Sequence, residues 1–232
     1  MCSDTGQKNE AKSDGEKESS RKSVKIADYL VYEKNDKNMK KDIILAGVGG
    51  QGILTIATII GTAALSEGLQ LKQSEVHGMS QRGGDVQSHL RISSKNIASD
   101  LIPEGKADMI ISVEPMESLR YVNMLDKESG WLVTSMNPFN NISDYPDLEE
   151  VLNEIWKLPH YVTLDADKIA KEQGSVKAAN IVVLGAASPY MGIQYESFTD
   201  AIKSVFSKKG EDIVKLNLKA LRAGRQYAEK RT

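Results

Sequence analysis

Short, wholly apolar runs alternate along most of the sequence with longer segments that carry an apolar stripe. Residues 43–46 form such a run and end at a glycine, which is typical of a strand buried on both faces. Residues 53–67 are apolar nearly all round and are closed by Gly68, which indicates a buried helix. Similar patterns predict strands at 69–76, 86–93, 109–113, 131–134 and 161–164, and helices at 115–125, 167–172, 179–186, 197–206 and 212–229.

Strands that alternate with helices in this way predict an α/β fold. We expect a three-layer α/β/α, Rossmann-like arrangement with an open, mainly parallel sheet. Polar and apolar residues alternate over 86–93, which predicts one face in contact with water. Asn180 is predicted to cap the helix at 179–186, and Gly185 is predicted to let a neighbouring helix pack closely.

The N-terminal part of the chain has a different composition from the rest. Residues 1–23 are almost entirely polar and cannot bury enough apolar surface to offset the entropy of ordering, so they are predicted to be disordered. Residues 24–34 contain enough apolar side chains for a short docking segment or helix, and a charged linker follows. We therefore divide the chain into a polar extension with linker, 1–40, and one domain, 41–232.

Composition and charge exclude several classes of protein. The chain has 232 residues, 30 Lys and Arg against 32 Asp and Glu, and one cysteine, Cys2. One thiol excludes an intrachain disulfide, and an iron–sulfur cluster or cysteine-rich zinc site held by this chain alone. The near-neutral charge excludes a general nucleic-acid binder. The extension has neither the apolar core of a secretory signal nor the composition of a transit peptide, and no apolar run would span a membrane. We expect a cytoplasmic protein.

A glycine-rich turn follows the first predicted strand. Residues 47–52, Gly-Val-Gly-Gly-Gln-Gly, match the G-x-G-x-x-G pattern between a strand and a helix. Such glycines permit a tight turn and the close approach of a phosphate, which the free N–H groups and the positive end of the helix then hold. Glu75 lies near the position of a ribose-binding acid. The alternative is that the glycines only let the first helix pack on the sheet.

A second polar loop lies between the next two predicted strands. Residues 74–84, Ser-Glu-Val-His-Gly-Met-Ser-Gln-Arg-Gly-Gly, combine an arginine with three glycines. Arg82 beside two glycines suits a phosphate or a carboxylate, because a guanidinium and exposed N–H groups would act together. The alternative is a polar turn with a surface arginine. The three histidines, His77, His89 and His160, lack the spacing of metal ligands, so no metal site is predicted.

Together these loops identify a resemblance to a known family. The sequence is similar to the gamma-type domain of 2-oxoacid:ferredoxin oxidoreductases, and within that family to the beta subunit of the indolepyruvate type. The resemblance covers about residues 41–226, and the paired loops are far more specific than the glycine turn alone. It rests on residues 47–54, 74–84, 86–91, 179–186 and 217–224.

The resemblance implies a subunit of an enzyme that oxidatively decarboxylates an aryl-2-oxo acid to an acyl-CoA and reduces ferredoxin. In this family the complex uses thiamine diphosphate, Mg²⁺, 4Fe–4S clusters and coenzyme A. The larger alpha subunit would hold thiamine diphosphate and the clusters, in a heterodimer or heterotetramer with this chain. Neither nucleic acid nor a membrane is an expected partner.

Two groups of residues are the predicted site, although no residue of this chain is expected to be catalytic alone. The first group would face the alpha subunit near the active site: Glu75, His77, Ser80, Gln81, Arg82, Gly83 and Gly84. The second would hold an anionic part of coenzyme A or of a similar nucleotide: Gly47, Gly49, Gly50, Gln51 and Gly52.

Two other functions remain open from the sequence. A stand-alone Rossmann-type NAD(P)-binding protein would explain the glycine turn and Glu75, but not the second loop. A non-catalytic nucleotide- or CoA-binding module would retain the fold without the complex.

Overall fold

The computed structural model describes residues 1, 38–77, 84–140 and 144–231. The α/β fold lies within the compact unit formed by residues 39–232. The predicted docking segment at 24–34 lies outside the described residues.

A six-stranded mixed sheet forms the centre of this fold. Its strands are β1 (Lys40–Val48), β2 (Gln70–His77), β3 (Asp85–Ser93), β4 (Met109–Ser112), β5 (Trp131–Ser135) and β6 (Tyr161–Leu164), in the order β2-β3-β1-β4-β5-β6. β1, β4, β5 and β6 are mutually parallel, as predicted. β3 runs antiparallel to both β1 and β2. A parallel β2–β3 pair would need a crossover, for which residues 78–84 are too few, so the pair forms a hairpin.

Seven α-helices accompany the described strands: α1 (Ile53–Ser66), α2 (Pro115–Arg120), α3 (Leu148–Ile155), α4 (Ala166–Glu172), α5 (Ala179–Ala187), α6 (Tyr195–Phe206) and α7 (Glu211–Glu229). The sequence pattern did not predict α3, whose first N–H groups bond to the side chain of Asp147. The helix predicted at 115–125 is wrong in length. It ends at Arg120 and is followed by a 3₁₀ turn. The chain leaves the helix there because Leu125 forms an isolated β-bridge with Ala107.

Helices cover both faces of the sheet, which makes three layers. Ile43, Leu45 and Ile111 point towards the layer that contains α1, α5, α6 and α7. Ile44 and Ile110, which alternate with them, point towards the layer that contains α3. All five side chains are fully buried, as expected for strands that are apolar on both faces.

Helices α5 and α7 pack closely against each other through two glycines. A Cβ atom added to Gly185 would lie 2.1 Å from the carbonyl oxygen of Leu221, and one added to Gly224 would lie 1.9 Å from that of Val182. The predicted packing role of Gly185 is therefore confirmed, and Gly224 has the same role on the opposing helix.

We expect Gly224→Ala to lower the free energy of unfolding by about 3 kcal/mol, because the added methyl group would overlap backbone and force the helices apart. Urea unfolding followed by circular dichroism measures the change. Gln226→Ala, at an exposed position on the same helix, is the matched control and should shift stability by less than about 0.5 kcal/mol. Equal unfolding midpoints for the two variants would contradict the packing account.

Candidate functional site

The glycine-rich turn joins the end of β1 to the start of α1. Gly47 has no room for a side chain, because a Cβ atom there would lie 2.7 Å from a neighbouring valine methyl group. Gly50 and Gly52 adopt φ values of 100° and 83°, which favour glycine. The side chain of Gln51 folds back, and its Oε1 accepts a hydrogen bond of 2.8 Å from the N–H of Val48. Glycine is therefore required at position 47 by steric packing, and it is favoured at positions 50 and 52 by the positive φ angles.

The same turn presents backbone N–H groups at the positive end of α1. Within the part of the chain that the structure describes, no group accepts a hydrogen bond from the N–H of Gly50, Gly52 or Ile53. No described side chain caps this helix either. Free N–H groups at a helix N-terminus attract an anion through hydrogen bonds and the helix dipole. The turn thus has the geometry of an anion cradle.

The second predicted loop begins and ends beside this turn. His77 is the last residue of β2, and Gly84 precedes the first residue of β3. The N–H of Gly49 donates a hydrogen bond of 2.8 Å to the carbonyl oxygen of Gly84. The predicted residues Ser80, Gln81, Arg82 and Gly83 lie outside the described residues. Because of the antiparallel hairpin, both predicted loops start and end on the same side of the sheet. The parallel strands β1, β4, β5 and β6 also end on this side, which we name the carboxyl edge.

Glu75 has a different setting from the one its spacing suggested. It lies on β2, opposite Ser88 of β3, and its carboxylate accepts a hydrogen bond from the side-chain amide of Gln73. Its side chain is exposed. Because β3 separates β2 from β1, Glu75 is on the second strand from the glycine turn, about 10 Å away across the sheet.

A cavity of about 540 Å³ opens at the carboxyl edge beside the turn. It lies where the chain leaves β4, β5 and β6, and the N-terminus of α5 forms its far wall. This is the usual position of a ligand in an open α/β sheet. Its lining is Gly50, Gln51, Val113, Ser135, Asn137, Pro138, Phe139, Ala166, Asp167, Val176, Lys177, Ala179, Asn180 and Val183.

Asn137 organises the polar wall of this cavity, and sequence reasoning missed it. Its Nδ2 donates a hydrogen bond of 2.9 Å to Asp165. Its Oδ1 accepts hydrogen bonds of 2.8 Å from the hydroxyl of Ser135 and 3.0 Å from the N–H of Asp167. Burial raises the pKa of the Asp167 carboxyl, and the charge of Asp165 adds to the shift. Lys177 supplies a positive charge to the same cavity.

Asn180 joins the two helix N-termini that meet at the cavity. Asn180 is not the N-cap residue of α5, because Ala178 occupies that position, but its Oδ1 accepts a hydrogen bond of 2.9 Å from the first-turn N–H of Ile181. The Nδ2 of Asn180 donates a hydrogen bond of 3.2 Å to the carbonyl oxygen of Gly52. A Cβ atom on Gly52 would lie 2.4 Å from that nitrogen. The third glycine of the motif therefore makes room for Asn180.

A buried acid supports the cavity from the other side of the sheet. Glu114 is fully buried at the start of α2 and accepts a hydrogen bond of 2.7 Å from the N–H of Glu117. Its other oxygen accepts hydrogen bonds from the N–H of Phe139 and from the hydroxyl of Tyr145. Burial raises the pKa of the Tyr145 hydroxyl, and the hydrogen bond to Glu114 raises it further. This network fixes the segment that carries Phe139 to the cavity.

The sequence that forms this site is similar to known proteins over most of its length. The family model described as pyruvate ferredoxin/flavodoxin oxidoreductase matches residues 42–227. The chain belongs to this family. Indolepyruvate oxidoreductase subunit IorB from Archaeoglobus fulgidus is 39% identical over 198 residues, which cover 82% of this chain and 96% of that protein. The resemblance recognised in the paired loops is confirmed.

Solved structures of the pyruvate ferredoxin/flavodoxin oxidoreductase family share the fold. The keto/oxoacid ferredoxin oxidoreductase gamma subunit from Geobacter sulfurreducens matches with a TM-score of 0.60 and 26% identity, over 82% of this chain and 99% of that one. The 2-oxoglutarate:ferredoxin oxidoreductase from Magnetococcus marinus, solved with 2-oxoglutarate, coenzyme A and succinyl-CoA bound, matches with a TM-score of 0.67 and 22% identity. That match covers 85% of this chain and 32% of the longer one. The α/β prediction is confirmed.

The described residues contain neither a metal-binding cluster nor a membrane-spanning helix. Over residues 38–77, 84–140 and 144–231, no three His, Cys, Asp or Glu side chains are grouped closely enough to hold a metal ion. No described helix combines the length and apolar character needed to cross a membrane.

Proposed function

We propose that this chain is the small subunit of a thiamine-diphosphate-dependent 2-oxoacid:ferredoxin oxidoreductase of the indolepyruvate type. The complex would convert an aryl-2-oxo acid to an acyl-CoA and pass the electrons to ferredoxin in the cytoplasm. The observation that carries this proposal is the similarity to indolepyruvate oxidoreductase subunits along nearly their whole length. In this proposal residues 41–232 act as one functional domain, and the extension at 1–40 takes no part in catalysis.

The partner subunit would hold thiamine diphosphate and the iron–sulfur clusters. A cluster of the family type needs several thiolates, and the sequence contains one cysteine. The carboxyl-edge cavity is lined instead by amides, small and apolar residues, one acid and one lysine. Such a lining suits the binding and orientation of a ligand rather than electron transfer.

The carboxyl edge is the surface that we assign to the partner. Four large apolar side chains lie along it with 42% to 55% of their surface exposed: Leu54, Val76, Phe139 and Val176. Leu54 is the second residue of α1, beside the glycine turn, and Val76 precedes the last residue of β2. A partner that covers this edge would bury these side chains and close the cavity from solvent.

Coenzyme A is the ligand that we assign to the cavity. Free N–H groups at Gly50 and Gly52, together with the ammonium of Lys177, would hold an anionic group of the molecule. Coenzyme A supplies the thiol that accepts the acyl group. The Magnetococcus marinus relative was solved with this molecule bound, which supports the choice.

The position of Glu75 disfavours a stand-alone NAD(P)-binding protein. A ribose-binding acid normally follows the strand next to the glycine turn. β3 takes that place here and runs antiparallel to β1.

Co-expression with a cysteine-rich, thiamine-dependent large subunit tests the proposed function. We expect the two chains to elute together in gel filtration and to reduce viologen in the presence of coenzyme A and an aryl-2-oxo acid. A screen of aryl and aliphatic 2-oxo acids identifies the substrate. Separate elution, or micromolar binding of NAD(H) by this chain alone, would contradict the proposal.

A further inference from the structure

A second cavity, of about 570 Å³, lies at the opposite end of the sheet from the carboxyl edge. It opens at the amino ends of β5 and β6. Trp131, the first residue of β5, lines it, whereas Ser135, the last residue of the same strand, lines the carboxyl-edge cavity. The length of one strand, about 15 Å, therefore separates the two. We name it the amino-edge cavity, and its lining is Trp131, Pro159, His160, Tyr161, Val162, Thr163, Tyr190 and Arg231.

Stacked rings form one wall of the amino-edge cavity. Trp131 stacks on Tyr190, with 3.8 Å between ring centroids and 16° between ring planes. It also stacks on His160, with a separation of 5.1 Å and an angle of 21°. All three side chains remain partly exposed, and Tyr161 is exposed beside them. The wall therefore offers aromatic surface to a further flat ring.

A guanidinium group lies at the same cavity. Arg231 follows α7, and its guanidinium lies 4.3 Å from the ring centroid of Tyr227, which orients it by a cation–π contact. Among the ion pairs of the described residues, none involves Arg231. A planar guanidinium binds carboxylate or phosphate oxygens in pairs.

We propose that the amino-edge cavity is a second ligand site, which binds a flat aromatic ring that carries a carboxylate or a phosphate. The ring packs against the aromatic wall, and Arg231 binds the anion. Stacking on aromatic side chains stabilises a bound ring, and the cavity lies within the usual size range of small-molecule sites. This site does not depend on the function proposed for the carboxyl edge.

Tryptophan fluorescence of the full chain tests this proposal. The sequence has two tryptophans, so Trp156→Phe leaves Trp131 as the reporter. Benzoate and AMP are the two probes, one an aryl carboxylate and the other a nucleotide phosphate, and neither emits in the range of tryptophan. We expect saturable quenching by at least one probe with a Kd below about 1 mM. Tighter binding of one probe shows whether the site prefers an aryl carboxylate or a nucleotide phosphate.

Variants show whether the binding uses this site. Arg231→Gln should weaken binding about tenfold, and His160→Ala, which shortens the stack, should also weaken it. Arg222→Gln, at an exposed position on α7, is the matched control and should leave the Kd unchanged. Circular dichroism confirms that each variant is folded. The proposal is overturned if neither probe saturates, if Arg231→Gln binds like the control, or if Lys177→Gln abolishes binding, since that lysine lines the other cavity.

Discussion

Replacing Arg82 with alanine is expected to lower kcat/KM of the reconstituted complex about a hundredfold. Arg82 lies two residues before Gly84, whose carbonyl oxygen accepts the hydrogen bond from Gly49 in the glycine turn. The sequence assigns Arg82 to the loop that faces the alpha subunit, and the described end of that loop, Gly84, lies at the carboxyl edge. Loss of one charged donor from an active site typically costs this much in rate. Steady-state ferredoxin reduction with the alpha subunit measures the effect.

The control for this prediction separates chemistry from assembly. Arg222→Ala removes an exposed arginine of α7 that does not line the carboxyl-edge cavity. The complex with this variant should have normal activity. Gel filtration of each mixture reports whether the complex forms. An Arg82→Ala complex that assembles normally and keeps activity within twofold of the parent would contradict a role at the active site.

Lys177→Gln is expected to raise the KM for coenzyme A about tenfold while kcat changes little. The substitution keeps a polar side chain of similar length but removes the charge that the cavity offers to an anion. An interaction made equally in the ground state and the transition state affects KM alone. Initial rates at varied coenzyme A, with the 2-oxo acid saturating, measure both constants.

Lys168→Gln provides the comparison for Lys177. Lys168 is an exposed lysine on α4 and does not line the cavity. Its substitution should leave the KM for coenzyme A unchanged. If both lysine variants behave alike, or if Lys177→Gln lowers kcat and leaves KM intact, the assignment of coenzyme A to this cavity is wrong.

The sequence predicted the backbone of the site better than its side chains. The glycine turn could be recognised because its chemistry lies in consecutive residues between a strand and a helix. Asn137, Asp167 and Lys177 come from three separate segments, after β5, in α4 and before α5, and none belongs to a motif. Only the sheet order brings them together. The same limit applies to Asn180, whose contact with Gly52 spans 128 positions of the sequence.

The arrangement of the sheet also followed only partly from the sequence. Every predicted strand is present, because short apolar runs identify strands irrespective of their neighbours. Which strands pair is a long-range property, so the placement of β3 between β1 and β2 could not be predicted. That placement has the largest consequence for function. It removes Glu75 from the position of a ribose ligand and brings both predicted loops to one edge.

We expect this chain to act only together with a large subunit that carries the redox cofactors. The decisive experiment is a titration of this chain into a fixed amount of that subunit, with reduction of ferredoxin recorded at each step. Neither chain alone should be active, and activity should rise with added chain and reach a plateau. Full activity of the large subunit without this chain would contradict it.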